Sequence, residues 1–343
     1  MKKVIKQVLG IDVAQLELVV CLGRMYDTSQ KELYGYKTFA NTAKGFESLL
    51  GWTRKLTQKD VDVLYVMEAT GVYHERFAYF LKDHDQLVSI VVPNKISNYA
   101  KSLTIKTVTD KTASEAITQF GLDRMLDQWE KPLPVYKKMK QLTRERDQIM
   151  TECTLVKNQL HAEKSEAEPN KNSISRIKKR IELMDKQQSA IMLEIKELVK
   201  SNQQVTEMIG IACSIPGVGL LTAATILAET NGFDLINSRR QLTSFAGLDV
   251  KEKQSGTSIK GKPRISKSGN RYLRKAMHMP SLSIIRHDEN SKNVFSRILV
   301  RHGIKMKALV AIQRKTLELV YTLCKNKTKY DKEYIKSLET ANV

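Results

Sequence analysis

The chain has 343 residues, which predicts two or three domains, and its hydrophobic content of 41% is enough for real cores and argues against global disorder. Lys and Arg number 57 against 37 Asp and Glu, and the net charge of +20 indicates a polyanionic partner, nucleic acid before an acidic membrane surface. Four singly scattered cysteines exclude a disulfide framework and a structural zinc site as the main organising feature, and no apolar stretch approaches the roughly 20 residues of a membrane span.

The first 131 residues alternate apolar strands with amphipathic helices. Helical periodicity predicts helices at about 41–56 and 73–82. Short apolar runs predict strands at 8–13, 16–22, 35–39, 61–67 and 87–92. Strands alternating with helices are typical of a mixed α/β sheet, so we expect residues 1–131 to form one α/β domain.

The middle of the chain, residues 136–204, changes character after Pro132 and Pro134. Apolar residues recur there at steps of three and four on both sides of a turn cluster at 169–172. This heptad pattern predicts an antiparallel coiled-coil hairpin. The hairpin could be a dimerisation arm or spacer, or a long helical insertion packed on its own domain.

The last part, residues 205–343, is predicted to be mainly helical and basic. Pro216-Gly217-Val218-Gly219 precedes a small-residue helix at 220–229 and fits a helix-hairpin-helix turn. The backbone N–H groups of Gly217 and Gly219 could hold a DNA phosphate without reading sequence. The alternative is a tight turn between helices that binds no ligand. Further helices are predicted at about 270–286 and 304–325.

Three acids in the first part stand where a metal site could form. Asp12 and Glu68 each end an apolar strand, where a buried carboxylate is costly unless it binds a cation or a donor. Asp110 begins a predicted helix and could complete the site from across the sheet. Oxygen ligands favour Mg²⁺ or Mn²⁺, which serve phosphodiester displacement. The structural alternative makes Asp12 a turn residue, Glu68 a salt-bridged acid and Asp110 a helix N-cap.

The segment 251–275 holds nine basic residues and one acid. A nucleic-acid-binding face is the plain interpretation of this charge. Ser255 lies inside it, in Gln254-Ser255-Gly256-Thr257-Ser258, and a serine among cations could attack a phosphodiester. The candidate nucleic-acid-binding residues of this segment are Lys260, Lys262, Arg264, Lys267, Arg271 and Arg274.

Together these blocks resemble one family, the DEDD-type insertion-sequence transposases, whose relatives include pilin-gene-inverting recombinases. The resemblance covers essentially the whole chain, and the order of the blocks makes it specific. The blocks are Gly10-Ile11-Asp12-Val13-Ala14, Glu68-Ala69-Thr70-Gly71-Val72-Tyr73, and residues 106–113, 215–219, 245–248, 254–256 and 264–274.

The resemblance implies a RuvC-like, RNase H-type N-terminal domain that binds Mg²⁺ through Asp12, Glu68 and Asp110. It also implies a C-terminal domain that supplies a catalytic serine, here Ser255 with Ser258 in reserve. Acids and serine would combine across protomers, so we expect a dimer or tetramer acting on donor and target DNA. Members with known guidance use a bridge RNA, which we expect here too. The expected location is the bacterial cytoplasm, on the nucleoid.

One position departs from the family pattern. The third block usually carries a second acid three residues after the first, and here that residue is Ala113. Glu115 could substitute through a shifted helix start, the site could have three acids, or this copy could be impaired. Two other functions therefore stay open: a junction-resolving, metal-dependent nuclease, and a non-catalytic DNA- or RNA-binding protein from a decayed element.

Overall fold

The computed structural model describes residues 2–69, 71–103, 109–234, 236–252, 254–255, 259–261 and 263–332. The chain divides into two compact units, Met1–Lys131 and Pro132–Val343. Within the described ranges, no helix is long and apolar enough to cross a membrane. The separation of 136–204 from 205–343 as two domains stays a prediction.

A five-stranded mixed sheet organises the first unit. Its strands are β1 (Val4–Val13), β2 (Glu17–Tyr26), β3 (Lys31–Ala40), β4 (Val63–Glu68) and β5 (Leu87–Val91), in the order β3-β2-β1-β4-β5. β1, β2 and β3 are antiparallel neighbours, whereas β4 runs parallel to β1 and β5 parallel to β4. The helices are α1 (Ala43–Leu56), α2 (Glu75–Asp83), α3 (Pro93–Ser102) and α4 (Asp110–Asp123). The α/β prediction is confirmed, and the arrangement fits an RNase H-like domain.

Helices cover both faces of this sheet, because successive side chains of a strand point to opposite faces. One core joins β1 to α1 and α2 and contains Leu9, Phe46 and Phe77. The other core contains Val8 and Ile117 and joins the sheet to α3 and α4. The central strands β1 and β4 therefore have two buried faces, which explains their nearly continuous apolar sequences, whereas the edge strand β3 is largely exposed.

The helix α4 lies very close to the sheet because glycines stand at the contact. A Cβ on Gly10, Gly23 or Gly121 would meet a neighbouring atom at 2.7 Å or less. Thr109 fixes the start of the helix: its hydroxyl accepts from the backbone N–H of Thr112, and its own N–H donates to the Thr112 hydroxyl. The close approach of α4 to the sheet is thus set by the three glycines, and the residue at which α4 begins is set by Thr109.

The second unit is mainly helical. Its helices are α5 (Pro134–Lys164), α6 (Lys171–Lys200), α7 (Gln203–Cys213), α8 (Leu220–Thr230), α9 (Arg239–Phe245), α10 (Arg271–Ala276), α11 (His278–His287), α12 (Glu289–His302) and α13 (Lys305–Asn326). Four two-residue strands lie between α9 and α10: β6 (Val250–Lys251), β7 (Gln254–Ser255), β8 (Ile259–Lys260) and β9 (Arg264–Ile265). They pair antiparallel as β6 with β9 and β7 with β8.

The long helices α5 and α6 pack along each other and are joined by residues 165–170. The base of this pair belongs to the core of the second unit, where Met139 and Ile195 are fully buried. Farther along, Leu155, Leu183 and Leu193 are exposed. The pair is therefore anchored on its own unit at one end and presents leucines to solvent elsewhere, and its coiled-coil character stays a prediction.

Candidate active site and nucleic-acid-binding segment

Two of the predicted acids end neighbouring strands of the first unit. Ile11 of β1 is paired with Met67 of β4 in parallel register, so Asp12 and Glu68 follow side by side. Residues adjacent in a parallel register point to the same face of the sheet. That face is the one that α4 covers, because Val8 and Val66 lie on it.

The third acid, Asp110, is the first residue of α4. The N-cap is Thr109, so the alternative that Asp110 is the N-cap is wrong. Two of the acids act on the third: the pKa of Asp12 is raised from 3.8 to about 6 by partial burial, then by the negative charges of Asp110 and Glu68. Asp12 thus lies within electrostatic reach of the other two acids, and the role of the three as metal ligands stays a prediction.

The chemistry of this donor set fits a hard divalent cation. Three carboxylates in mutual repulsion supply only oxygen ligands, which Mg²⁺ and Mn²⁺ prefer, and a bound cation would relieve the repulsion. Within the described ranges, no three His, Cys, Asp or Glu side chains are gathered closely enough to form a metal-binding group. A metal site on the three acids therefore stays a prediction.

The fourth acidic position of the pattern has no acid here, because residue 113 is alanine. Ala113 is half-buried one turn after Asp110. Glu115 lies elsewhere, because its carboxylate accepts a hydrogen bond from Tyr36 of β3. Since α4 begins regularly at Asp110, the structure gives no support to a shifted helix start that would bring Glu115 to the acids.

Asn41 was missed by the sequence analysis. This buried residue lies between β3 and α1, and its Nδ2 donates to the carbonyl oxygens of Ala14 at 2.9 Å and Tyr73 at 3.3 Å. Its backbone N–H donates to the oxygen of Leu16 at 2.8 Å. Asn41 thereby ties together the loops that follow β1 and β4, directly after the acids. The feature of the sequence that could have indicated Asn41 is its place immediately before Thr42, the N-cap of α1.

In the second unit, a buried carboxylate holds the start of α10. The side chain of Glu229 is fully buried and accepts two hydrogen bonds from Arg144 of α5, at 2.6 and 2.9 Å. It also accepts from Nδ2 of Asn270 at 2.7 Å. Asn270 uses its Oδ1 to cap α10, accepting from the N–H groups of Tyr272 and Leu273. The motif residue Asn270 thus links α5, α8 and α10.

Ser255 is exposed and lies in β7, paired with Ile259 of β8. It belongs to the second unit, whereas the three acids belong to the first. Its neighbour Gln254 donates to the carboxylate of Glu252. The reserve serine Ser258 and the candidate Lys262 lie outside the described residues.

The predicted nucleic-acid-binding residues divide into exposed and structural ones. Arg264 and Lys267 are exposed, as is Arg271, whose guanidinium lies 5.0 Å from the ring centre of Tyr272. Arg274 instead donates to the carbonyl oxygen of Ala246 at 2.8 Å, so at least one of its N–H groups supports the fold. Lys260 lies in β8.

The two glycines before α8 differ. Gly217 has φ +87°, and a Cβ there would lie 2.6 Å from Cβ of Ser283 in α11. Its glycine character is explained by this turn and close packing. Gly219 is the N-cap of α8 and has open space around it, which keeps the first N–H groups of α8 accessible.

Two family models match the chain. One, described as Transposase and named for DEDD transposases of the IS110 type, matches residues 9–163, which include Asp12, Glu68 and Asp110. The other, described as Transposase IS116/IS110/IS902 family, matches residues 210–296, which include Ser255.

Individual known proteins are also similar to this chain, over different lengths. A pilin gene-inverting protein of Moraxella bovis is 28% identical over 333 residues, which cover 95% of this chain and 98% of that protein. A transposase for insertion sequence element IS1111A of Coxiella burnetii is 29% identical over 142 residues, 40% of this chain and 37% of that protein. A solved structure, T. thermophilus RuvC in complex with a Holliday junction substrate, has 8% identity and a TM-score of 0.26, covering 36% of this chain and 99% of that chain.

Proposed function

Because this chain belongs to the IS110/IS116 family of DEDD-type insertion-sequence transposases and is a DNA transposase or recombinase, we propose that it exchanges strands between donor and target DNA through Ser255 and a Mg²⁺ (or Mn²⁺) site. Asp12, Glu68 and Asp110 are the proposed ligands. The observation that carries the proposal is that Asp12 and Glu68 end neighbouring parallel strands. Partial burial, then the negative charges of Asp110 and Glu68, raise the pKa of Asp12 to about 6, so Asp12 lies within electrostatic reach of the other two acids.

In this mechanism Ser255 is the nucleophile. Its Oγ forms a bond to a DNA phosphorus, the bond from that phosphorus to the departing strand breaks, and the hydroxyl proton passes to the departing oxygen. Attack by a hydroxyl of the other strand reverses these changes and frees the serine. A bound Mg²⁺ would stabilise negative charge on the reacting oxygens. The exposed Arg264, Lys267 and Arg271 hold the phosphate backbone.

Because Ser255 and the acids belong to different units, a site built from both can take the serine from one protomer and the acids from another. We propose such a composite site, which requires at least a dimer. Guidance by a bridge RNA is part of the proposal, and the net charge of +20 is consistent with binding to nucleic acid. The place of action is the bacterial cytoplasm, on the nucleoid.

The test is recombination between donor and target plasmids in cells, with the native flanking non-coding DNA present. We expect junction products from the native chain, loss of product in Ser255→Ala and Asp12→Asn, and no loss in Ser189→Ala, an exposed serine of α6. Product that survives Ser255→Ala would remove Ser255 as the nucleophile and direct attention to Ser258. Deleting the flanking non-coding DNA tests the RNA, and unchanged product would contradict guidance.

A second arm distinguishes strand transfer from hydrolysis. Purified protein is incubated with end-labelled DNA and denatured, and the expected result is labelled protein that carries DNA on Ser255. Cleaved DNA without labelled protein would favour the junction-resolving nuclease. Product from Ala113→Asp but not from the native chain would identify a decayed copy of the same enzyme.

A further inference from the structure

A cleft of about 610 Å³ opens in the second unit between α5, the first half of α8, and the region where α10 meets α11. Its lining residues include neither the three acids nor Ser255. Its volume lies in the range of sites that enclose a small organic ligand. Of its lining residues the argument uses Arg146, Met150, Leu221, Lys275, His278 and Met279.

The polar part of the lining is cationic. Arg146, Arg274 and Lys275 face one acid, Asp147, which is paired with Lys275 at 2.5 Å. Nε of Arg146 is buried and has no hydrogen-bond partner within the described part of the chain. A buried charged donor without an acceptor is costly, so this wall is suited to an anion. The first turn of α8 carries no acid and adds its positive end.

The remainder of the lining combines apolar side chains with the hydroxyl groups of Thr143, Thr222 and Thr225. Met150 and Leu221 contribute to the walls, and Met279 stands at the rim with 69% of its surface exposed. His278 adds an oriented polar group: its Nδ1 lies 3.2 Å from Nε2 of Gln313, and with Gln313 donating, the ring hydrogen is on Nε2. Apolar walls beside an anion-binding wall match a nucleobase beside its phosphate.

A neighbouring cleft of the second unit lacks this excess of positive charge. That cleft lies on the other side of Tyr272, and its three basic residues are balanced by three acids. They are Lys138, Arg144, Arg271, Glu145, Asp147 and Glu152. Of these two clefts, the one between α5, α8 and α11 is therefore better suited to an anionic ligand.

We propose that this cleft binds one unpaired nucleotide of a DNA strand, with a phosphate on Arg146 and the base against Met150 and Leu221. The inference rests on the proposed function for its nucleic-acid partner. A base stacked in a duplex cannot enter an enclosed cleft, whereas strand exchange exposes unpaired nucleotides. The cleft thus gives the second unit a preference for DNA whose strands have separated.

The test is fluorescence anisotropy of the full-length protein with a fluorescein-labelled single strand, the corresponding duplex, and a single-stranded RNA of the same sequence. Arg146→Gln is compared with Arg180→Gln, which removes the same charge from the exposed part of α6. We expect Arg146→Gln to raise the Kd for single-stranded DNA about tenfold. For the duplex, we expect Arg146→Gln to bind no more weakly than Arg180→Gln does. Equal losses in both variants, or equal losses for duplex and single strand, would overturn the proposal. A loss confined to RNA would overturn the assignment to DNA.

A labelling experiment covers the case in which Arg146→Gln fails to fold. Met279→Cys, in a Cys213→Ser background, is coupled to a photoreactive maleimide; Cys213 is the exposed cysteine, and Cys21, Cys153 and Cys324 are buried. We expect ultraviolet crosslinks to the single-stranded DNA from position 279 and none from Leu183→Cys on α6. Absence of crosslinks at 279 would overturn the proposal. Either negative result can coincide with normal recombination in cells, so the proposed function would stand without this cleft.

Discussion

A methyl group on Gly10 would lie 2.3 Å from Oγ1 of Thr118, so β1 and α4 are packed as closely as their backbones allow. The Thr118 hydroxyl lies 2.9 Å from the carbonyl oxygen of Cys21 and 2.7 Å from that of Ser114, which fixes the helix over two strands. Asp110 begins this helix just over two turns earlier. The distance between α4 and the sheet therefore sets the distance between Asp110 and Asp12.

Gly10→Ala should push α4 away from the sheet. We expect it to lower the free energy of unfolding by about 2–3 kcal/mol, the cost of overpacking a close contact, and to abolish recombination because Asp110 moves with the helix. Gly51→Ala is the control, since no atom lies within 4 Å of its Cβ position in α1. The control should be neutral or stabilising by up to about 1 kcal/mol. Urea unfolding measures both, and equal effects would contradict the packing argument.

Asp12 should make metal-free stability depend on pH. Its folded-state pKa of about 6 lies above the ordinary 3.8, raised by burial and by Asp110 and Glu68, so the folded protein holds this proton more tightly than the unfolded chain. Stability contributed by this group is therefore greatest below 3.8 and is lost as the pH rises through about 6.

Asp12→Asn removes the free-energy cost of holding an ionised carboxylate at position 12 in the folded protein. At neutral pH and without metal, we expect the variant to be more stable than the native chain by about 1–2 kcal/mol, the shift discounted because the side chain is only partly buried. The difference should shrink as the pH falls below the raised pKa. Mg²⁺ should raise the Tm of the native chain and not that of the variant. A Mg²⁺-dependent Tm in Asp12→Asn would argue that Asp12 is not a ligand.

The sequence predicted β1 and β4 because both faces of these strands are buried, which leaves apolar runs that end abruptly on Asp12 and Glu68. It missed α3, since Pro93 was taken only as the end of a strand although proline also suits the first position of a helix. It missed α12 although Val294, Phe295, Ile298 and Leu299 are spaced as on one face of a helix; these residues are only partly buried. Contacts distant in sequence, such as those of Glu229, leave no local pattern.

The Glu229 carboxylate should be important for the stability of the second unit. Glu229→Ala leaves Arg144 and Asn270 without their shared acceptor, and we expect a loss of about 3–5 kcal/mol in the free energy of unfolding. Glu182→Ala removes an exposed acid paired with Lys186 at 2.9 Å and should leave the free energy of unfolding nearly unchanged. Chemical denaturation gives both values. A small loss in Glu229→Ala would mean that solvent replaces the acceptor.

Asn41 should act on the acids through the loops that it holds. Asn41→Ala and Gln7→Ala each remove a buried amide bound to loop carbonyls, but Gln7 binds Gln58 and Val61 at the opposite end of β1. We expect each variant to lose about 1–3 kcal/mol of stability. Only Asn41→Ala should also weaken Mg²⁺ binding, measured by calorimetry. Equal Mg²⁺ affinity in the two variants would limit Asn41 to a structural role.

Ala113→Asp tests whether the fourth acid of the family pattern belongs at this position. Residues three apart on a helix share a face, so an aspartate at 113 should join Asp110 beside the metal. We expect Mg²⁺ affinity to rise about tenfold, since each added carboxylate strengthens an oxygen site. Ala113→Asn has nearly the same volume without the charge and should bind Mg²⁺ as the native chain does. Equal affinities in the two variants, measured by calorimetry, would show that position 113 does not face the acids and that three carboxylates form the site.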